Sequence, residues 1–85
     1  MYKVIIEARV YNDLDRIPAA DLDRIYTAIT SLELDPRRTG TQKLQGQANR
    51  YRIRQGNYRI IYQIHEAEKA VLVLLVGHRR DVYRN

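Results

Sequence analysis

The sequence predicts an α+β domain: an N-terminal strand, a two-helix hairpin, then a three-stranded antiparallel meander, with all strands in one sheet and the helices on one of its faces. Three observations predict it. Apolar residues repeat at helical spacing between positions 10 and 32, they alternate at period two from position 50 onward, and a short unbroken apolar run opens the chain. With 85 residues, these elements are expected to share one core, residues 1–85 forming a single domain of modest stability.

The opening run, Tyr2 to Glu7, contains Val4-Ile5-Ile6 without interruption, the pattern of a strand covered on both faces. Val10, Leu14 and Ile17 then lie on one face of a first helix, which Pro18 separates from the next. Leu22, Ile25, Tyr26, Ile29 and Leu32 form a stronger amphipathic stripe, with Asp21 and Asp23 near the positive end of the helix dipole, and Asp35-Pro36 stops it. Residues 36–49 have no periodicity, two glycines and three basic side chains. They read as a loop of unusual length, either functional or disordered.

From Arg50 the period becomes two. Tyr51 and Ile53 alternate with Arg50, Arg52 and Arg54, Gly56-Asn57 suits a type II′ turn, and Tyr58 to His65 returns as a strand. Glu66 to Lys69 makes a second turn. Ala70 to Val76 is the most apolar stretch and is expected to be a central strand covered on both sides. The tail from His78 to Asn85 is polar and basic.

Charge divides along the same line as structure. Lys+Arg 15 against Asp+Glu 10 gives +5, and a pI near 9.8 makes a polyanion such as nucleic acid the first partner to test. Residues 1–36 hold four basic and seven acidic side chains, net −3, whereas residues 37–85 hold eleven and three, net +8. The positive field therefore belongs to the sheet half. Twelve of the fifteen basic residues are Arg, which suits bidentate phosphate contacts and stacking on bases, although a GC-rich coding sequence would produce the same preference. The chain has no cysteine and two histidines, so disulfides, thiolate zinc sites and a cysteine nucleophile are excluded, and no metal or other cofactor is expected. No apolar stretch approaches the roughly 20 residues of a membrane span, and Glu7 follows the opening run at once, so the expected location is cytoplasmic.

A two-residue turn at Gly56-Asn57 pairs Gln55 with Tyr58, Arg54 with Arg59, Ile53 with Ile60 and Arg52 with Ile61. Alternation then sets Arg52, Arg54 and Arg59 on one face. Like charges directly opposite are destabilising, so stability alone does not favour Arg54 facing Arg59, whereas a bound anion, or a carboxylate from the loop or tail, removes the conflict. Arg79 follows the third strand of the meander after Gly77. An odd second turn places it with Arg59 and an even one opposite, a choice left open by the sequence. Tyr83 either reaches back over the cluster or packs the tail.

Such a cluster fits metal-independent RNA cleavage, in which a 2′-hydroxyl attacks the adjacent phosphate. Charge on the phosphoryl oxygens must be stabilised and the departing 5′-oxygen protonated. Arginines serve the first need and not the second, since guanidinium stays protonated. Candidates for acid or base are Tyr83 and His78, with a structural histidine on the helix side as the competing reading of His78. His65, at a turn, reads as solvated.

In order along the chain, Lys43-Leu44-Gln45-Gly46, Tyr51-Arg52-Ile53-Arg54, Asn57-Tyr58-Arg59-Ile60-Ile61-Tyr62, Val76-Gly77-His78-Arg79 and Asp81-Val82-Tyr83 resemble the successive blocks of the RelE toxins of the RelE/ParE superfamily. The resemblance covers essentially the whole chain and implies the RelE-like microbial ribonuclease fold. It further implies the toxin of a type II toxin–antitoxin pair, cutting messenger RNA in the ribosomal A site without a metal and so inhibiting translation. The implied partners are the ribosome, its message, and a small antitoxin that wraps the toxin and with it represses their operon. The family's site residues fall on Arg52, Arg54, Arg59, Arg79 and Tyr83, and Lys43, Arg50, Arg80 and Arg84 are expected to contact RNA. Well-studied relatives carry lysines where this chain has Arg52 and Arg54; since a lysine can be tuned into a base and arginine cannot, the pair here is expected to clamp phosphate. Two other readings stand beside this one. A ParE-like toxin would inhibit DNA gyrase without nuclease activity, though that branch tends to lack the hairpin arginines and terminal tyrosine. A nucleic-acid-binding module without catalysis fits the charge equally well.

Overall fold

Pro18 sets the first boundary of the fold. Its extended backbone (φ −56°, ψ 145°) separates α1 (Val10–Leu14) from α2 (Ala19–Ser31), and its carbonyl accepts from the Leu22 N–H at 2.9 Å to close the first turn of α2. The computed structural model describes residues 1–46 and 48–78. Strand β1 (Lys3–Ile6) precedes the helices, and β2 (Thr41–Lys43), β3 (Arg50–Gln55), β4 (Tyr58–His65) and β5 (Ala70–His78) follow. The sheet has the order β1-β5-β4-β3-β2, with β1 parallel to β5 and the other pairs antiparallel.

Val10 and Leu14 of α1, Ile25, Ala28 and Ile29 of α2, and Leu32 just after it pack on Ile53, Ile60, Tyr62, Ile64, Val71, Val73 and Val76. All of these are essentially withdrawn from solvent. The strand members alternate, so both helices cover one face and leave the other open.

Three expectations need correction. The stretch 36–49 is not entirely loop, because Thr41–Lys43 adds a fifth, edge strand to β3. Strand β1 is not covered on both faces: as an edge strand it alternates, and Ile5 is 42% exposed. Strand β5 is central, between β1 and β4, and the helices cover only one side of it; on the other side Leu72 and Leu75 are half-buried while Leu74, and Ile61 of β4, are buried.

Two polar clusters join this framework to its connections. The buried Tyr62 hydroxyl donates to the Pro36 carbonyl at 2.6 Å and lies 3.1 Å from the Thr41 hydroxyl, tying the exit of α2 and the start of β2 to the core. At the same end of the sheet Glu66 accepts from Arg37 and from the Tyr2 hydroxyl (2.8 Å), with Lys69 at 3.6 Å. The bond from Arg37, and then that from Tyr2, hold the Glu66 carboxyl below its ordinary value of about 4.5. A carboxyl depressed by folding contributes stability that is complete above its unfolded value and is lost as pH falls through the lowered one. Being exposed, the cluster contributes modestly. The thermal midpoints of wild type and Glu66→Gln are therefore expected to differ at neutral pH and to converge below about pH 4, the ordinary glutamate range. Curves that stay parallel down to acid would refute this role for Glu66.

Candidate active site on the open sheet face

The β3–β4 hairpin has the register expected from its turn. Gln55 pairs with Tyr58, Arg54 with Arg59, Ile53 with Ile60 and Arg52 with Ile61. Gly56 has φ +60° while Asn57 stays out of the left-handed region, which is the type II′ pattern. Because Ile53, Ile60 and Tyr62 face the helices, Arg50, Arg52, Arg54 and Arg59 stand together on the open face.

The four differ in setting. Arg54 is exposed and Arg50 and Arg52 are half-buried, whereas Arg59 is only 4% exposed, the one buried charged residue among those described. Arg54 stands directly opposite Arg59, so two guanidinium groups share one cross-strand position of the hairpin. Arg52 is oriented from the edge strand: Gln42 is its cross-strand partner, and the Gln42 amide oxygen accepts from its Nη2. Gln42 is a site-supporting residue that sequence reasoning missed, since its only signal, a short run after Gly40, was read as loop.

The other edge of the cluster depends on an irregularity in β5. The second turn, Glu66 to Lys69, is even, and near it Gln63 pairs with Leu72 and Tyr62 with Val73. Beyond it Ile61 pairs with Leu75, so Leu74 has no partner in β4 and forms a bulge. The register moves by one, Gly77 comes opposite Arg59, and His78 comes opposite Tyr58. The parity question is thereby decided as far as Gly77, which belongs to the arginine face.

His78 is consequently on the helix side. Its ring meets Tyr58 edge-on, centroids 5.9 Å apart, and the Tyr58 hydroxyl donates to Asp21 Oδ2 of α2 at 3.3 Å. Burial, and then the Asp21 charge, push the Tyr58 phenol up. This is the alternative reading of His78, a histidine across the sheet from the arginines. Lys43, opposite Tyr51, likewise lies on the helix-side parity. His65 is half-buried, not fully solvated, with Nε2 3.1 Å from the Gln63 amide oxygen. Arg79, Arg80, Tyr83 and Arg84 lie outside the described residues.

What the described site offers is therefore a row of guanidinium groups on rigid strands, one of them buried. Low dielectric strengthens its interaction with an anion, and the donors are placed before the ligand arrives. Among the described residues no three or more His, Asp or Glu side chains come together as a metal-binding group, and no helix is long and apolar enough to cross a membrane.

Residues 4–83 match the family described as the ParE toxin of the type II toxin–antitoxin system parDE. The chain is 31% identical to the toxin RelG of Mycobacterium tuberculosis over 84 residues, 98% of this chain and 97% of that one. Among solved structures, the archaeal RelE–RelB complex from Pyrococcus horikoshii is similar with a TM-score of 0.81 and 30% identity, covering 99% of this chain and 98% of that one. The isolated RelE toxin of E. coli superposes with a TM-score of 0.80 over 92% of this chain and 84% of that one; its 21% identity speaks for the fold alone.

Proposed function

The chain belongs to the ParE toxin family of type II toxin–antitoxin systems, among the RelE toxins of the RelE/ParE superfamily, and from that premise we propose that its open sheet face cleaves messenger RNA in the ribosomal A site. The observation that carries this reading is the convergence of Arg52, Arg54 and buried Arg59 on one face of the hairpin. In the reaction the 2′-oxygen forms a bond to the adjacent phosphorus and the bond from phosphorus to the 5′-oxygen breaks, leaving a cyclic phosphate and a 5′-hydroxyl. Extra negative charge develops on the phosphoryl oxygens, where a fork of N–H donors stabilises it most. Arg59 and Arg79 take the scissile phosphate, Arg52 and Arg54 the developing charge and flanking phosphates, and Tyr83 orients or stacks a nucleotide. The 2′-hydroxyl proton leaves to a base and the 5′-oxygen receives one from an acid. Neither step falls to guanidinium, which keeps its protons. Arg50, Arg80 and Arg84 supply further, sequence-independent contacts to RNA phosphate, while Lys43, on the other face, stands apart from them.

The proposed regulatory partner is a small antitoxin. Relatives of this fold are seen with RelB, as in the Pyrococcus complex, and a polypeptide that covers the +8 half of this chain would be expected to carry acidic residues there. The alternative is a ParE-like, gyrase-directed toxin without nuclease activity; the relatives named RelG and RelE1 favour the ribonuclease over it. Ribosomes stalled on a defined message separate the two. Incubation with the protein is expected to cut the message within the A-site codon and to leave gyrase supercoiling untouched; intact message together with blocked supercoiling would overturn the ribonuclease reading.

A further inference from the structure

Strand β1 ends opposite Val73, where Ile6 is its parallel partner and the Glu7 N–H donates to the Val73 carbonyl at 3.1 Å. Past that point the edge of β5 loses its neighbouring strand. Two side chains at the start of α1 take its place: Arg9 Nε donates to the Leu74 carbonyl at 3.2 Å, and the Val76 N–H donates to Asp13 Oδ2 at 3.3 Å. Arg9 is itself braced by Glu7, Nε to Oε2 3.2 Å. Arg9, which precedes α1 with helical backbone angles, and Asp13 within it are four residues apart and so share one face, and the groups they hold bracket Leu75 immediately after the bulge.

We propose that Arg9 and Asp13 are positioning residues for the arginine site: from across the sheet they hold the Leu74 bulge, and through it the register that sets Gly77 opposite Arg59. A one-residue change of register inverts every following side chain. Carried on from the turn without the extra residue, the pairing of Tyr62 with Val73 would bring Val76 opposite Arg59. A branched side chain would then crowd the guanidinium, and the core would lose Val76, now 2% exposed. With the bulge in place, a glycine adds no side chain beside Arg59. Past the end of β1 the edge of β5 has no strand to pair with, so its backbone polar groups there need other donors and acceptors, and Arg9 and Asp13 provide them. The geometry stands by itself; its consequence for activity rests on the ribonuclease reading above.

The test compares Arg9→Ala, Asp13→Ala and Asp13→Asn with wild type on ribosomes carrying a defined message, with kcat and KM measured separately and amide hydrogen exchange followed at Val76. Misplacement of a reacting group by about 1 Å costs up to roughly 100-fold, so both alanine variants are expected to lose about 10- to 100-fold in kcat with KM changed less than about twofold. Asp13→Asn keeps an oxygen that accepts from the Val76 N–H and is expected to recover to within about threefold of wild type. Exchange at Val76 is expected to quicken in Asp13→Ala and not in Asp13→Asn. Unchanged exchange at Val76 in Asp13→Ala overturns the clamp. Quickened exchange with wild-type kcat, or an Asn variant as impaired as the Ala one, overturns the positioning role. A wild-type protein that cuts no message overturns the ribonuclease reading and the positioning role with it, while the exchange measurement still decides the clamp.

Discussion

On the proposed ribonuclease reading, Arg59→Lys is expected to lower ribosome-dependent cleavage by about 100- to 1,000-fold, the loss typical of removing one preorganised donor from a developing oxyanion, and to abolish growth arrest on expression. Lysine keeps the charge and the aliphatic stem but offers a single ammonium where a planar fork of five N–H donors stood. The substitution therefore separates geometry from charge at a side chain that is 4% exposed and held on the central part of the sheet between β3 and β5. The expected signature is a fall in kcat with the thermal midpoint little changed. Cleavage by Arg59→Lys at the wild-type rate would show that this buried guanidinium does not touch the reacting phosphate. Arg59→Ala goes further, removing charge and stem together, and is expected to be inactive as well.

Ile60→Ala carries the largest expected effect on stability. Ile60 is fully buried, next to Arg59 on β4, and sits between Ile53 and Val76 on the helix-covered face. Truncating such a residue costs about 2–5 kcal/mol, part lost transfer energy and part cavity. At roughly 0.05–0.15 kcal/mol per residue, a domain of this length has only about 4–13 kcal/mol in total. The thermal midpoint is expected to fall by about 10–30 °C, at roughly 4–8 °C per kcal/mol for a domain of this size. Ile60→Val, which removes one methyl group, is expected to cost about 0.5–1.5 kcal/mol. A midpoint for Ile60→Ala within a few degrees of wild type, read by far-UV circular dichroism, would contradict the placement of this residue in the core.

The start of the second helix, the hairpin and the arginine face were legible from residues alone because each depends on neighbours in sequence. Gly56 provides the positive φ that a two-residue turn needs first, and once that turn is set, alternation orders Arg52, Arg54 and Arg59 without reference to any other element. Pro18 opens α2 by local sterics in the same way, whereas α1 already stops at Leu14 and α2 at Ser31, short of Pro18 and of Asp35-Pro36, which were read as their ends. Strand β2 was not legible. Thr41–Lys43 is short and polar, and it is a strand only because β3 presents an open edge to it. Ile5 and Leu72 read as covered because an apolar residue looks alike whether it meets a second layer or the open face of a sheet.

By itself, then, the sequence determined which residue types would share the hairpin face and where the second helix would begin, through turn chemistry and periodicity acting over a few residues. Only the tertiary structure decided that Arg59 is buried while Arg54 stays exposed, that Gln42 orients Arg52, and that Gly77, not Val76, stands opposite Arg59. Each of these is set by contacts between segments far apart in the chain. The last of them turns on the place where β1 stops and α1 begins, because the backbone of β5 must find partners there that no neighbouring strand supplies.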